Sequence, residues 1–438
     1  MKTSKLILAC ATALAAVGTA QADTVVHITG STAFRAATIT AIQNVFGGAG
    51  TYKAAYGSTT GSSTTASNRT IIQGTIATLP AAGVVTVKCS WSGSTGGIKT
   101  VVQNIDVTTW PSITNLPATN TSVGITDASL SFALDTGTFP SETAKADVTM
   151  EDSAQASTGF TTSTLSETNV GVVVFEWVVG NGAPAGLTNM TPLLAQATLS
   201  GGVPLSQFTG VSADVTAVYA MGRDFDSGTR LSELAETGVG VFGGVQQIQP
   251  IFTGTAGAAG SSISKIKLWQ SETVLGQLFQ IGQSGYSSGG QLADALATPG
   301  SATADTTTGI AAAEQVGFGP GNLLAYLGRS DAARACKTSA ITGNTAKRLN
   351  WNGYQLTNGP ILATGSPTSY NDNLVTEGLY SLWEYEKLAY RSSYTGNGKA
   401  VADKIANQII NTDATVSGIK LSTMNVSRAV EGGVITHL

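Results

Sequence analysis

The sequence predicts an α/β fold, because short strands and helices alternate along it. Three times, a run of strand-forming residues leads into a turn of glycine, serine and threonine, and apolar residues at helical spacing follow. A helix after each strand is typical of βαβ units. The chain of 438 residues is also too long for one ordinary hydrophobic core and long enough for two.

The first 22 residues have the pattern of a cleaved signal peptide. Lys2 and Lys5 precede an apolar run from Leu6 to Val17, which is too short to span a bilayer, and Ala20-Gln21-Ala22 provides a small-residue cleavage site. We therefore expect residues 1–22 to be removed and the mature protein to be periplasmic or secreted. No later stretch is apolar and long enough to cross a membrane.

Composition narrows the possible partners. Charged residues make up 11% of the chain, and the formal net charge of −4 gives no broad attraction for nucleic acid. We therefore expect no nucleic-acid partner. If the protein binds a small anion, a local site must attract it, because the net charge of the chain does not. Cys89 and Cys336 are the only cysteines after the signal, and they could form one disulfide or remain two buried thiols.

The first strand–turn–helix unit begins the mature chain. Residues 24–28 form a β-branched strand, the turn runs through residues 29–35, and Ile39 and Ile42 continue at helical spacing. The turn places hydroxyl and backbone N–H groups at the start of a helix.

The second unit has the same composition. A strand over residues 84–90 leads to a glycine-rich turn over residues 92–99 and then to apolar residues at Val101, Val102 and Ile105. The turn matches neither the nucleotide P-loop nor the dinucleotide glycine pattern, so we expect no cofactor.

Two further strands follow a segment rich in Thr, Ser and Pro over residues 107–145. The first, residues 146–153, ends on the carboxylate pair Glu151 and Asp152. The second, residues 169–179, is almost continuously apolar and strongly strand-forming. It predicts a buried central strand that could cross between lobes.

The third unit contains the most informative stretch. A strand over residues 215–221 leads to Gly222–Arg230, in which Arg223 stands four residues ahead of a Ser-Gly-Thr turn. Ser227 is a good candidate for a helix N-cap, and Gly228 would let the backbone approach a ligand closely. A helix N-terminus beside a guanidinium favours an oxyanion. Further on, we interpret the aromatic run at residues 379–388 as a helix that packs in the core.

Together these turns resemble the periplasmic phosphate-binding proteins of ABC-type uptake systems, a branch of the type 2 solute-binding (PBP-like) fold. Further motifs that resemble the family are Gly285–Gly290, Val316–Phe318 and Gly378–Tyr380. The resemblance implies two α/β lobes joined by crossover strands, with phosphate held in the cleft between them. One lobe would comprise residues 23–173 and 323–438, and the other residues 174–322.

The resemblance also implies which residues hold the ligand. They are Thr32 (with Ser31 as the alternative for its role), Phe34, Ser94, Asp152, Arg223, Ser227, Gly228 and Thr229. The acid would accept the proton of hydrogen phosphate, which sulfate lacks, so it would reject sulfate. Asp127 is a rival for the acid position. The partners implied are inorganic phosphate or a similar oxyanion and a membrane ABC permease, with the protein acting as a monomer and without catalysis.

Three alternatives remain open. Because Glu151, Asp224 and Asp226 add negative charge near the site, the ligand could be another oxyanion or a phosphorylated compound. The low charge and the Ser/Thr-rich composition would also suit an exported surface or scaffold protein. Gly285-Tyr286-Ser287-Ser288-Gly289 fits the nucleophile elbow of serine hydrolases. However, neither His27 nor His437 is placed like the base of such an enzyme, and no spacing of histidines and cysteines predicts a metal site.

Overall fold

A computed structural model describes residues 23–57, 63–112, 116, 122–124, 141–274, 277–337, 341–357 and 370–438. It has the predicted α/β architecture. The proposed signal peptide and Asp127 lie outside the described residues. None of the helices in the described ranges is long and apolar enough to span a bilayer.

The strands are numbered β1 to β22 in chain order. They are Thr24–Gly30, Tyr52–Tyr56, Arg69–Thr75, Val84–Ser90, Asp106–Pro111, Ser122–Gly124, Ser141–Lys145, Val148–Glu151, Leu165–Val179, Asn189–Met190, Val203–Pro204, Ala217–Ala220, Ile248–Thr253, Ser262–Leu268, Glu272–Val274, Gln277–Phe279, Gly321–Gly328, Lys347–Arg348, Asn350–Trp351, Trp383–Arg391, Val426–Ser427 and Thr436–His437. The helices are numbered α1 to α9. They are Arg35–Val45, Ser94–Gln103, Pro192–Leu199, Ser206–Thr209, Gly228–Glu236, Gly289–Ala297, Arg329–Ala335, Asn373–Thr376 and Gly396–Asn411.

One large mixed sheet organises the chain, with strand order β11-β12-β17-β9-β20-β8-β1-β4-β3-β2-β6. The central strand β9 is 15 residues long and is buried along its second half, as its apolar sequence predicts. Its first part pairs with β20 and its last five residues pair with β17. This strand therefore joins two arms of the sheet, one formed by the strands from β20 to β6 in that order and the other by β17, β12 and β11.

Strands of both arms run toward the middle of β9. On one side β17 ends where Gly328 pairs with Phe175, and β12 lies parallel to β17. On the other side β1, β4 and β8 are parallel to one another and antiparallel to β20, which starts opposite Val174. The loops after the carboxyl ends of these strands therefore converge on one region from two directions.

The prediction of a helix over residues 379–388 is wrong, because most of this run lies in strand β20. β20 is paired on both edges, with β8 and with β9, and seven of its nine residues are buried. Hydrogen bonding to two neighbouring strands outweighs any local preference of this aromatic run for a helix. The aromatic residues do pack in the core as expected, since Trp383 is fully buried.

Cys89 and Cys336 are both free and buried, so the second of the two alternatives for them is confirmed. Burial raises the pKa of both thiols. A raised thiol pKa makes these cysteines weak nucleophiles.

Candidate functional site

The loops that follow β8, β4 and β12 meet around the carboxylate of Asp152. The Ser94 hydroxyl donates to Asp152 Oδ1, and the Asp152 backbone N–H donates to Ser94 Oγ over 3.1 Å. A side chain at Gly228 would collide with both Asp152 Oδ1 and Ser94, so Gly228 is in close contact with them. Ser94 and Gly228 are the first residues of α2 and α5, so two helix N-termini adjoin one buried acid.

Asp152 is 1% exposed, and the groups around it shift the pKa of its carboxyl in opposite directions. Burial raises the pKa of the carboxyl, whereas the Ser94 hydroxyl and the Arg223 guanidinium lower it. The same donors that favour this carboxylate favour an oxyanion placed beside it.

Arg223 is buried and held in one orientation. Its Nε donates to the Tyr286 carbonyl over 3.0 Å, and its Nη2 donates to the Ser287 carbonyl over 2.9 Å. These two bonds use only part of a guanidinium that has five N–H groups. The Gly285–Gly290 motif therefore positions the arginine.

The start of α5 has the predicted cap. Ser227 Oγ accepts a hydrogen bond from the Arg230 backbone N–H over 3.3 Å, which confirms Ser227 as the N-cap. Ser227, Gly228 and Thr229 are all buried. The preceding turn also contacts α2, since the Asp226 carbonyl accepts from the Gly96 N–H over 3.0 Å.

The predicted ligand residues in the loop after β1 differ from one another in burial. Ser31 is 1% exposed and lies beside Glu386, whereas Thr32 is only partly buried. The Phe34 ring is fully buried against Gly171 and Gly418. Because this ring belongs to the core, only the backbone of Phe34 could face a ligand.

Three charged residues beside the site were missed by the sequence analysis. They are Arg35, Asp331 and Glu386. Burial lowers the pKa of Arg35, Asp331 opposes this, and the Arg334 and Arg223 guanidiniums add to it. Burial and the charge of Asp152 raise the pKa of Glu386 well above its usual range.

Only Arg35 had a signal in the sequence, since it ends the turn of the first unit. Asp331 and Glu386 stand in no recognisable motif. Pairing of distant strands and helices brings them to the site, so local spacing could not reveal them.

The serine of the hydrolase pattern has no histidine beside it among the described residues. Ser287 is exposed and its Oγ donates to Gln291 Oε1 over 2.9 Å, while Ser288 caps α6. The ring of His27 lies 3.3 Å from both Asp147 and Glu142, and His437 is exposed in β22, which pairs with β21. No group of three or more His, Cys, Asp or Glu in the described ranges is arranged to hold a metal ion.

No family model matches the chain, and no curated protein matches its sequence. The chain is similar in structure to an ABC-type phosphate transport receptor from Vibrio cholerae, with a TM-score of 0.42, 10% identity, and coverage of 90% of this chain and 99% of that one. It is also similar to a human phosphate-binding apolipoprotein, with a TM-score of 0.39, 10% identity, and coverage of 90% and 88%. A phosphate-binding protein from Stenotrophomonas maltophilia has a TM-score of 0.34, 12% identity, and coverage of 94% and 87%. The first of these solved structures is a phosphate transport receptor and the other two are phosphate-binding proteins, the class that the sequence motifs resemble.

Proposed function

We propose that the protein binds inorganic phosphate, or a closely similar oxyanion, where the starts of α2 and α5 meet Asp152 and Arg223. The observation that carries this proposal is the contact of Gly228 and Ser94 with one buried carboxylate. Two helix N-termini supply N–H donors, and Arg223 supplies a full positive charge. The remaining ligands would be Thr229, the Ser227 hydroxyl, and the loop containing Ser31, Thr32 and Phe34.

The acid gives the site its selectivity. Hydrogen phosphate carries a proton that Asp152 can accept, and this bond would compensate the charge repulsion between ligand and carboxylate. Sulfate carries none near neutral pH, so binding it would leave two negative charges in contact and unpaired. Because mismatches of this kind can change affinity by orders of magnitude, we propose phosphate over sulfate as the ligand.

The protein would act without catalysis. We propose that it works in the periplasm or outside the cell, as a monomer of two lobes, and delivers its ligand to an ABC permease. Residues 23–173 and 323–438 would form one lobe, and residues 174–322 the other. Ligand would be enclosed by closure of the lobes, because donors from both are needed to match its charge.

Titration calorimetry of the chain from residue 23 onward tests the proposal. We expect phosphate to bind much more tightly than sulfate. Arg223→Ala should weaken phosphate binding by on the order of 2–3 kcal/mol, because a desolvated, charged hydrogen-bond donor is lost. Equal affinity for phosphate in this variant and the wild type would show that the site lies elsewhere.

Asp152→Asn should reduce the discrimination against sulfate. Asp106→Asn is the matched control, because Asp106 is exposed and follows the end of α2 opposite to Ser94, and it should change neither affinity. If Asp127→Asn relaxes the selectivity and Asp152→Asn does not, the role of the acid belongs to Asp127.

A further inference from the structure

A cavity of about 420 Å³ lies beside the proposed anion site. Its walls include Thr95 and the loop from Ser157 to Phe160, and also Phe225, Ser227 and other residues from the start of α5 and from the loop that follows this helix. The volume is within the range of small-molecule sites and exceeds the roughly 150 Å³ that suffices for a benzene ring.

The cavity and the anion site share an inner wall. Thr95 follows Ser94 in α2, and Ser227 precedes Gly228 in α5, so each lies one residue, about 3.8 Å between Cα atoms, from a proposed ligand contact. The Thr95 hydroxyl is buried and has no hydrogen-bond partner among the described residues. A molecule that fills the anion site and extends outward would enter this cavity.

The rest of the wall is mostly apolar. Phe160, Phe225 and Phe279 line the cavity, and the rings of Phe225 and Phe279 stack on each other. Phe242 is 79% exposed and Leu278 is 58% exposed, although both are large apolar residues. Such exposure beside a cavity is typical of a binding surface.

Among the described residues of the cavity wall, the only charged one is a cation. Arg230 is 5% exposed, its guanidinium carbon lies 4.6 Å from the centre of the Phe225 ring, and its Nη1 donates to the Arg223 carbonyl over 3.1 Å. No carboxylate is found among the lining residues that the structure describes. Apolar walls with one buried cation favour a ligand that has an apolar body and a negatively charged end.

We propose that this cavity receives the aromatic or aliphatic substituent of a phosphomonoester or phosphonate whose anionic group occupies the proposed phosphate site. The proposal rests on the function proposed above and extends its ligand class from the free anion to substituted phosphates. The substituent would pack against Phe160 and Phe279, while the phosphoryl oxygens would meet Arg223 and the start of α5.

Phenyl phosphate, methyl phosphate and inorganic phosphate are the probes for calorimetric titration. Titrations at pH 6 are appropriate, because about half of a phosphomonoester then keeps its second proton, which Asp152 can accept. We expect phenyl phosphate to bind at least about ten-fold more tightly than methyl phosphate, since its ring is removed from water.

Phe279→Ala should lower the affinity for phenyl phosphate about ten-fold and leave the affinity for inorganic phosphate unchanged. Phe318→Ala is the matched control. Its ring is 58% exposed and packs near Tyr219 outside the cavity, so this variant should bind all three probes like the wild type.

The outcomes separate the two proposals. If inorganic phosphate binds but phenyl and methyl phosphate bind equally well, or if Phe279→Ala weakens all three probes alike, the cavity proposal is wrong and the phosphate site stands. Binding of phenyl phosphate without binding of inorganic phosphate would support the cavity and reject the free anion as ligand. If no probe binds, both proposals fall. If a dimer forms without ligand and is lost in Phe279→Ala, a second copy of the chain occupies the cavity, and the cavity proposal is wrong.

Discussion

At the residue scale, buried acids dominate the electrostatics of this chain. Only 27 of its 438 residues are Asp or Glu, yet several of them are almost fully buried. Burial raises the pKa of Asp152, Asp331 and Glu386, which surround or adjoin the candidate site. Burial disfavours the charged form of each of these carboxyls, so nearby hydrogen-bond donors and cations must compensate wherever one of them is ionised.

Glu233 in α5 gives a testable pH dependence. Burial raises the pKa of this carboxyl to about 8, and the Arg230 guanidinium opposes the rise. The unfolded chain has a Glu pKa of about 4.3, so between pH 4.3 and 8 the folded state binds a proton that the unfolded state releases. Stability from this group is therefore present below about pH 4.3 and is lost as the pH rises toward 8.

Glu233→Gln should remove this dependence. In the wild type we expect the free energy of unfolding, measured by urea denaturation, to fall between pH 5 and pH 8. In the variant this fall should be smaller by on the order of 4 kcal/mol. Glu314→Gln is the control, because the pKa of Glu314 is shifted in the opposite direction. Hydrogen bonds from Lys267 and Gln270 lower the pKa of Glu314, so its contribution is lost only in more acidic solution. An unchanged pH dependence in Glu233→Gln would contradict the prediction.

At the element scale, the important contact is between the starts of α2 and α5. Gly93, the residue before α2, has a φ of +93°, and a Cβ there would collide with the Asp226 carbonyl. Lys99 Nζ also forms an ion pair of 2.5 Å with Asp226 Oδ1. These contacts hold together two turns that come from opposite arms of the sheet.

Gly93→Ala should therefore weaken phosphate binding by at least about ten-fold, because the added methyl group separates the two helix starts. Gly182→Ala is a close control, since Gly182 has a φ of +95° and a Cβ there meets nothing within 4 Å. Both variants should lose about 1–2 kcal/mol of stability from backbone strain, but only Gly93→Ala should lose affinity. Equal affinities in calorimetry would show that this contact does not shape the site.

At the scale of the whole molecule, the C-terminal segment ties α5 to the central sheet. Arg428 donates to Glu236 in α5, and its Nη1 lies 3.2 Å from Glu384 Oε1 in β20. Its guanidinium carbon also lies 4.3 Å from the centre of the Trp383 ring. Burial raises the pKa of both carboxyls, and Arg428 opposes the rise.

Arg428→Met should destabilise the protein by about 3–5 kcal/mol, because two buried acids lose their shared cation. Thermal unfolding followed by circular dichroism would show a lower melting temperature. A variant that combines Arg428→Met with Glu236→Gln and Glu384→Gln should recover much of the loss. If the triple variant is as unstable as the single one, lost packing rather than charge explains the effect.

The local features of this protein can be predicted from short stretches of its sequence: the alternation of strands and helices, the central strand β9, and the Ser227 cap of α5. These depend on hydrophobic period and capping chemistry over a few residues, which a sequence displays directly. By contrast, only the folded chain shows that most of the run of residues 379–388 forms a strand, and that Glu386 and Asp331 lie near Asp152 and Arg223. Strand order and the approach of distant loops depend on pairing across hundreds of residues, and no local pattern encodes them.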